Sequence, residues 1–262
     1  MSPTGSEDPT ERRGRPGRPV TSRPEGITQA RCVVVTGGNR GIGAAVVARL
    51  SEGGHRVASI SRSGGAASGV LDVRADITDP DDVEAAIKAV RAEHGPVDAL
   101  VCNAGTTDHA LLPAGNLTQA RVVMETNLWA PWLMSRTVVT DMLARRWGRV
   151  VFVSSVLGGT GAPGQSMYAA TKASHLGLAR SIAWELGSRG VTANVVAPGM
   201  VETAMLRQAD ESRRSALLTR TPAGRVGEPH EVAAVVDFLI SDASGYVNGA
   251  HIPVSGGLGA GA

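Results

Sequence analysis

Val33-Val34-Val35-Thr36-Gly37-Gly38-Asn39-Arg40-Gly41-Ile42-Gly43 joins an apolar strand run, a glycine-rich turn and the start of an amphipathic helix. Glycines at 37, 41 and 43 let the backbone turn tightly and approach a pyrophosphate, whose charge then sits against the helix N-terminus. Three spaced glycines alone are a weak signal, because a plain turn uses them too. Here they follow the first good strand and open a helix, which is the context a dinucleotide-binding loop requires. Gly37, Asn39, Arg40, Gly41, Ile42 and Gly43 are therefore candidate cofactor contacts.

Outward from this loop, apolar strand runs alternate with helical stretches, the rhythm of βαβ units. The strand runs are Cys32 to Thr36, Val57 to Ile60, Val70 to Val73, Ala99 to Cys102, Val150 to Ser154, Val191 to Val196 and His251 to Val254. The helical stretches are Ile42 to Glu52, Asp81 to Glu93, Thr126 to Arg145, Gln165 to Leu186 and Pro229 to Ile240. This predicts an α/β fold: a Rossmann-type, doubly wound, parallel seven-stranded sheet with helices on both faces, in a single domain over residues 31–262. A chain of 262 residues, 42% of them hydrophobic, can bury the core such a domain needs.

Residues 1–30 are rich in Pro, Gly, Ser and Arg, show no apolar period and read as a disordered extension. Within them Arg13-Gly14-Arg15-Pro16 is similar to the core of a minor-groove AT-hook. The neighbouring Glu7, Asp8 and Glu11 favour a solvated tail, and a net charge of +2 does not advertise a nucleic-acid partner. Apolar runs stay short of the ~18 residues of a membrane span, and no secretory h-region is visible. Cys32 and Cys102 lie in apolar runs that suit buried free thiols, so a reducing cytoplasm is expected. The six histidines show no ligand spacing, and no metal site is expected.

Choice of dinucleotide depends on the end of the second strand, where an acid would accept from a ribose 2′-hydroxyl. That acid is missing. Ile60-Ser61-Arg62-Ser63 stands there instead, and Arg40 lies in the glycine loop, so two guanidiniums can converge on a 2′-phosphate. NADP(H) is expected, against the alternative that both arginines are ordinary surface charges. Asp76 and Ile77, after the third strand, are placed to hold the adenine edge, although Asp76 equally suits a helix cap.

Tyr168 and Lys172 stand four residues apart in a chain with two tyrosines and two lysines, the other basic positions being arginine. Residues i and i+4 share a helix face at about 5 to 6 Å, and an opposite charge within reach favours an ionised phenol by roughly 1 to 3 pH units. Such a tyrosine becomes a usable proton donor near neutrality. An ordinary helix that happens to carry this spacing is the alternative. Ser155 lacks a G-x-S-x-G elbow, which disfavours a hydrolase nucleophile.

Six motifs in order, Thr36-Gly37-x-x-x-Gly41-Ile42-Gly43, Asn103-Ala104-Gly105, Asn127, Ser155, Tyr168-x-x-x-Lys172 and Pro198-Gly199, resemble the short-chain dehydrogenase/reductase family over residues 31–262. Within it, Val195-Val196-Ala197-Pro198-Gly199 and Ile252-Pro253-Val254 are most like the actinobacterial 3-oxoacyl-(acyl carrier protein) reductases. The resemblance implies NADPH-dependent reduction of a 3-oxoacyl thioester. Tyr168 would protonate the carbonyl oxygen, Lys172 would lower the tyrosine pKa and bind the nicotinamide ribose, Ser155 would donate to the substrate, and Asn127 would hold a relay water. Asn103, Ala104 and Gly105 would line the adenosine ribose. Pro198, Gly199, Val201 and Thr203 would bracket the nicotinamide, unless Thr203 is only an N-cap.

Arg146 and Arg189 match carrier-contact positions, with solvated helix-end arginines as the alternative. Met200 to Arg220 carries few core-like periods and is a candidate substrate lid. Trp129, Trp132 and Leu133 sit on the helix that pairs subunits in the family, so a homotetramer is expected, with intrachain core as the alternative for each tryptophan. Asp108 to Asn116 and Ser255 depart from the family pattern, which leaves open another ketone or alcohol of polyketide or xenobiotic chemistry. A non-catalytic, DNA-associated NADP-binding protein is the reading from another class, and the intact Ser-Tyr-Lys set argues against it.

Overall fold

The computed structural model describes residues 29–207 and 211–260. Residues 1–28, including the Arg13-Gly14-Arg15-Pro16 run, and residues 208–210 of the candidate lid lie outside the described residues. Seven strands form one sheet in the order β3-β2-β1-β4-β5-β6-β7, with every neighbouring pair parallel. They are β1 Cys32–Thr36, β2 Arg56–Ser61, β3 Leu71–Arg74, β4 Ala99–Cys102, β5 Gly148–Val153, β6 Val191–Pro198 and β7 His251–Val254. The order reverses between β1 and β4, and the crevice at their carboxyl ends is where ligands bind in open α/β sheets.

The central strands β1, β5 and β6 are buried along their whole length, because helices cover both faces. On one face β1, β4 and β5 side chains pack with α2 (Pro80–His94), α4 (Ala130–Arg145) and α6 (Ser166–Leu186) around Ile87, Leu100, Met134 and Phe152. On the other, α1 (Gly41–Glu52) and α9 (Pro229–Ile240) meet over Val35, Leu50, Val196 and Leu239. At the edge, β7 alternates exposed and half-buried residues.

The long helix expected from Thr126 to Arg145 is built in three pieces: α3 Leu117–Met124, a π-helical turn Glu125–Trp129, and α4. Asn116 caps α3 by accepting the Gln119 N–H at 3.0 Å, a start that the apolar pattern did not show. Pro131 has no N–H to give the carbonyl of Asn127 its ordinary α-helical bond, and the widened turn falls at that place. The Met200 to Arg220 stretch is also helical in part, with α7 Ala204–Arg207 and α8 Glu211–Thr219. Leu206, Leu217 and Leu218 pack on a small cluster of Val156, Met200 and Leu258. The short α5, Leu157–Thr160, follows β5.

At the amino ends of the strands, charges are paired within the chain. Asp98, 1% exposed, accepts from Arg145 at 2.7 Å and from the buried Cys32 N–H at 2.8 Å. Arg91 pairs with Asp141 at 2.9 Å. The Trp147 ring has the guanidiniums of Arg31 and Arg149 at 3.8 and 4.4 Å from its centroid, and its N–H donates to Asp242 at 2.9 Å.

Candidate active site

Because all seven strands are parallel, the residues that follow β1, β4, β5 and β6 emerge at one end of the sheet. Ser154 and Ser155 close β5, and the Ser154 hydroxyl donates to the Lys172 carbonyl at 2.7 Å, fastening α6 to that strand end. The fastening places Tyr168 and Lys172 beside Ser155. The phenol of Tyr168 lies near enough to the Ser155 hydroxyl for Ser155 to lower its pKa, and the Ser155 oxygen accepts the Leu157 N–H at 3.2 Å. Tyr168 is partly exposed as a residue, but its hydroxyl end is enclosed. Burial raises the phenol pKa above its usual value, and the nearby Ser155 acts in the opposite direction.

Lys172 is 5% exposed and donates to the Val153 carbonyl at 2.8 Å, with its ammonium 5.8 Å from the Tyr168 ring centroid. Burial depresses its pKa to about 8. The phenol pKa of this chain is thus raised by burial and not lowered by the lysine, whose ammonium is turned toward a strand carbonyl.

Asn127, fully buried, spends its side chain on protein partners. Its Oδ1 accepts the Thr106 N–H at 2.9 Å, and its Nδ2 donates to the Thr106 carbonyl at 2.8 Å and to Thr171 Oγ1 at 3.2 Å. It thus ties the loop after β4 to the catalytic helix. On that loop, a Cβ on Gly105 would stand 3.3 Å from Asn127 Oδ1 and 3.4 Å from Lys172 Nζ, so a glycine keeps the approach to the ammonium open.

The glycine loop adjoins this cluster. Gly37 and Gly41 have φ of 67° and 55°, and a side chain on Gly43 would strike the Gly37 carbonyl and the Asn103 amide. Asn103 Nδ2 donates to the carbonyls of Thr36 and Gly37 at 3.1 Å, while Thr36 Oγ1 accepts the N–H groups of Asn103 and Ala104, both at 3.1 Å. Asn103 and Ala104 therefore hold the loop itself. Asn39 donates to Ser63 and to the Gly64 carbonyl at 2.9 Å, tying the segment after β2 to the glycine loop.

Asp76 accepts from the backbone N–H and hydroxyl of Thr78 at 2.9 and 2.7 Å; these bonds lower its pKa, led by the backbone one. These bonds close a turn and do not cap the helix: the cap of α2 is Asp79, whose side chain accepts the Asp81 and Asp82 N–H groups, and the neighbouring Ile77 is buried in the core. Thr203 caps α7 through the Leu206 N–H at 3.3 Å, while its methyl lies 3.4 Å from where a Cβ on Gly41 would be. Val201 is buried and pairs in a short bridge with Gly227, following Pro198 and Gly199 at the end of β6.

A family model described as enoyl-(acyl carrier protein) reductase matches residues 37–259. The 3-oxoacyl-[acyl-carrier-protein] reductase MabA of Mycobacterium tuberculosis is 45% identical over 232 residues, 88% of this chain and 94% of that relative. The chain belongs to the short-chain dehydrogenase/reductase family. MabA of Mycobacterium avium is 41% identical over 261 residues, the full length of both chains, and the 3-oxoacyl-[acyl-carrier-protein] reductase FabG of Escherichia coli is 38% identical over 238 residues, 88% of this chain and 98% of that one. The crystal structure of gox2181 superposes with a TM-score of 0.83 at 32% identity, covering 87% of this chain and 95% of that chain. As a short-chain dehydrogenase/reductase the protein is an oxidoreductase that uses a nicotinamide cofactor. The positive-φ Gly37 and Gly41, the tight loop that only a glycine at 43 allows and the absence of a side chain between Gly105 and the Lys172 ammonium fit such a group.

Other expected contacts are displaced. Arg146 and Arg189 lie together, Arg146 Nη2 donating to the Ser188 carbonyl at 3.3 Å, at the amino end of the strands and away from this chain's own Tyr168. Trp129 and Trp132 are exposed and stack at 5.1 Å, whereas Leu133, expected beside them at a subunit contact, is 5% exposed and belongs to the chain's own core. The sequence reading missed Gln165 and His175. Gln165, 2% exposed, accepts from Thr107, donates to the Asp108 carbonyl and contacts His109, pinning the loop to the start of α6. His175 follows Lys172 by three residues, so helical spacing alone could have found it.

No helix of the described residues is long and apolar enough to cross a membrane.

Proposed function

We propose that this chain reduces 3-oxoacyl thioesters with NADPH. The observation that carries the reading is the phenol of Tyr168, close to Ser155 and with the buried Lys172 ammonium 5.8 Å from its ring, at the strand end that also carries the glycine loop. Bound dinucleotide supplies a hydride to the carbonyl carbon. Ser155 and Tyr168 hold the carbonyl oxygen, and Tyr168 gives it a proton as that oxygen gains charge. Lys172, with a pKa of about 8, would bind the cofactor ribose and offset the phenolate that is left. Arg40 and Arg62, with no acid after β2, favour the 2′-phosphate of NADP(H). Relatives at 38–45% identity named as 3-oxoacyl reductases support the substrate class.

Carrier contact by Arg146 and Arg189 becomes reasonable in an oligomer. Two-fold pairing of α6 with a second copy runs the helices antiparallel and sets the carboxyl end of one beside the other's Tyr168. Exposed Trp129 and Trp132 suit that pairing within a homotetramer. The two buried thiols, Cys32 and Cys102, fit a reducing cytoplasm.

The test is NADPH oxidation by the full chain with acetoacetyl thioester, free or on acyl carrier protein, beside a trans-2-enoyl thioester and a panel of plain ketones. Turnover of the 3-oxo substrate with NADPH preferred over NADH is expected. Faster reduction of the enoyl thioester would overturn the reading. A second reading, another ketone, is favoured by the polar wall of Thr107, His109 and Gln165, and a plain ketone with the highest kcat/KM would establish it.

A further inference from the structure

The catalytic helix grips Asn127 from two sides. Thr171 Oγ1 takes its side-chain amide at 3.2 Å and itself donates to the Tyr168 carbonyl at 2.8 Å. One turn further along, His175 Nε2 stands 2.7 Å from the backbone oxygen of Asn127. A carbonyl oxygen only accepts, so Nε2 carries the proton and Nδ1 of the neutral ring is a bare acceptor. That Nδ1 is buried and has no partner among the described residues, and the ring, 1% exposed, lies against Phe152 at 5.5 Å between centroids.

An apolar side chain would fill the same space without stranding a buried nitrogen. The imidazole contributes what an apolar group lacks, which is a donor for a carbonyl that Pro131 deprives of its ordinary helical partner. Burial and the nearby charge of Lys172 press its pKa down to about 3, so the ring stays neutral and keeps its donor in place.

We infer that His175 is a positioning residue: by holding the Asn127 carbonyl it fixes the π-helical turn, and so the Asn127 amide that sets the Thr106 loop and Gly105 beside Lys172. The inference rests on the reading of Tyr168 and Lys172 as the proton machinery. It explains why the widened turn falls at Asn127: the helix surrenders one regular bond there, and α6 replaces it from the neighbouring layer.

Met and Gln match each other in shape at this position, but only Gln carries a donor where Nε2 stands. His175→Met is expected to lower kcat about tenfold, the scale of one net hydrogen bond, with KM for NADPH little changed and His175→Gln restored to within about threefold of the parent. Equal kcat in the two variants, or losses that follow Tm in both, would overturn the inference. A second measurement needs no turnover: in the 15N-histidine spectrum of the parent protein one ring should hold the Nε2–H tautomer without titrating between about pH 5 and 9, and His175→Gln should remove that signal. Absence of such a ring overturns the positioning role even if the chain proves to reduce 3-oxo substrates. Conversely, a tautomer signal in a chain that rejects 3-oxo thioesters sinks only the substrate reading, and the Met and Gln pair is then compared on whichever ketone of the panel is turned over.

Discussion

The two ends of the one sheet treat buried charge differently. At the amino ends Asp98 has a guanidinium on one oxygen and a backbone N–H on the other, and Arg149, 4% exposed, rests on an indole and donates to backbone carbonyls. At the carboxyl ends Lys172 is as deeply buried but has a single hydrogen bond among the described residues, to the Val153 carbonyl, where Arg149 has several carbonyls and an indole. The Lys172 pKa falls to about 8. The protein completes the first end by itself. The second is left with unbalanced groups, an arrangement that costs stability and that a ligand's electronegative atoms can relieve.

The comparison breaks first on activity. Tyr168→Phe removes the hydroxyl and keeps the ring, so turnover should fall about 10² to 10⁴-fold while NADPH titration gives an unchanged Kd. Turnover near the parent value would mean the phenol is no more functional than the charges at the far end. Next in size is Asp98→Ala, which strands the buried Cys32 N–H; Arg145 is 41% exposed and can turn to water, so the loss is about 2–3 kcal/mol. A scanning melt should register a Tm about 5–10 °C lower with catalysis per folded molecule retained.

The smallest effect has the opposite sign. Lys172→Met relieves a buried ammonium, so the ligand-free chain should melt about 3–6 °C higher even though turnover is lost. Because the lysine pKa is about 8 in the folded chain against an ordinary 10.5, the unfolded chain binds more protons between those values, and the parent gains stability as pH rises through that window. The gap in Tm between variant and parent should therefore shrink from pH 8 to 10.5. A gap that widens there would show that the two ends are not different in kind.

The strands, the glycine loop and the Tyr168-x-x-x-Lys172 spacing were legible because each depends on neighbours within a few residues. What escaped the sequence depends on distant partners. The π-helical turn needs Pro131 and a histidine from another helix, and α8 is held by Leu217 and Leu218 meeting Val156 and Leu258, too sparse a pattern to show a period. Arg146 and Arg189 were legible as basic residues, yet which end of the sheet they occupy follows only from all strands being parallel. Leu133 and its tryptophan neighbours share a helix, and only packing tells which side faces inward.

Edge strand β7 turns Ala250 and Val254 carbonyls toward β6, where Val195 and Gly199 donate to them at 2.9 and 3.0 Å. By alternation His251 and Pro253 direct their backbone outward, and a proline has no hydrogen there to give. The rim of the sheet is therefore a poor template for another strand, which protects a long apolar sheet from fibrillar stacking. Whatever copy of this chain meets that rim must be recognised by side chains, so the contact can be closed and counted instead of growing without end.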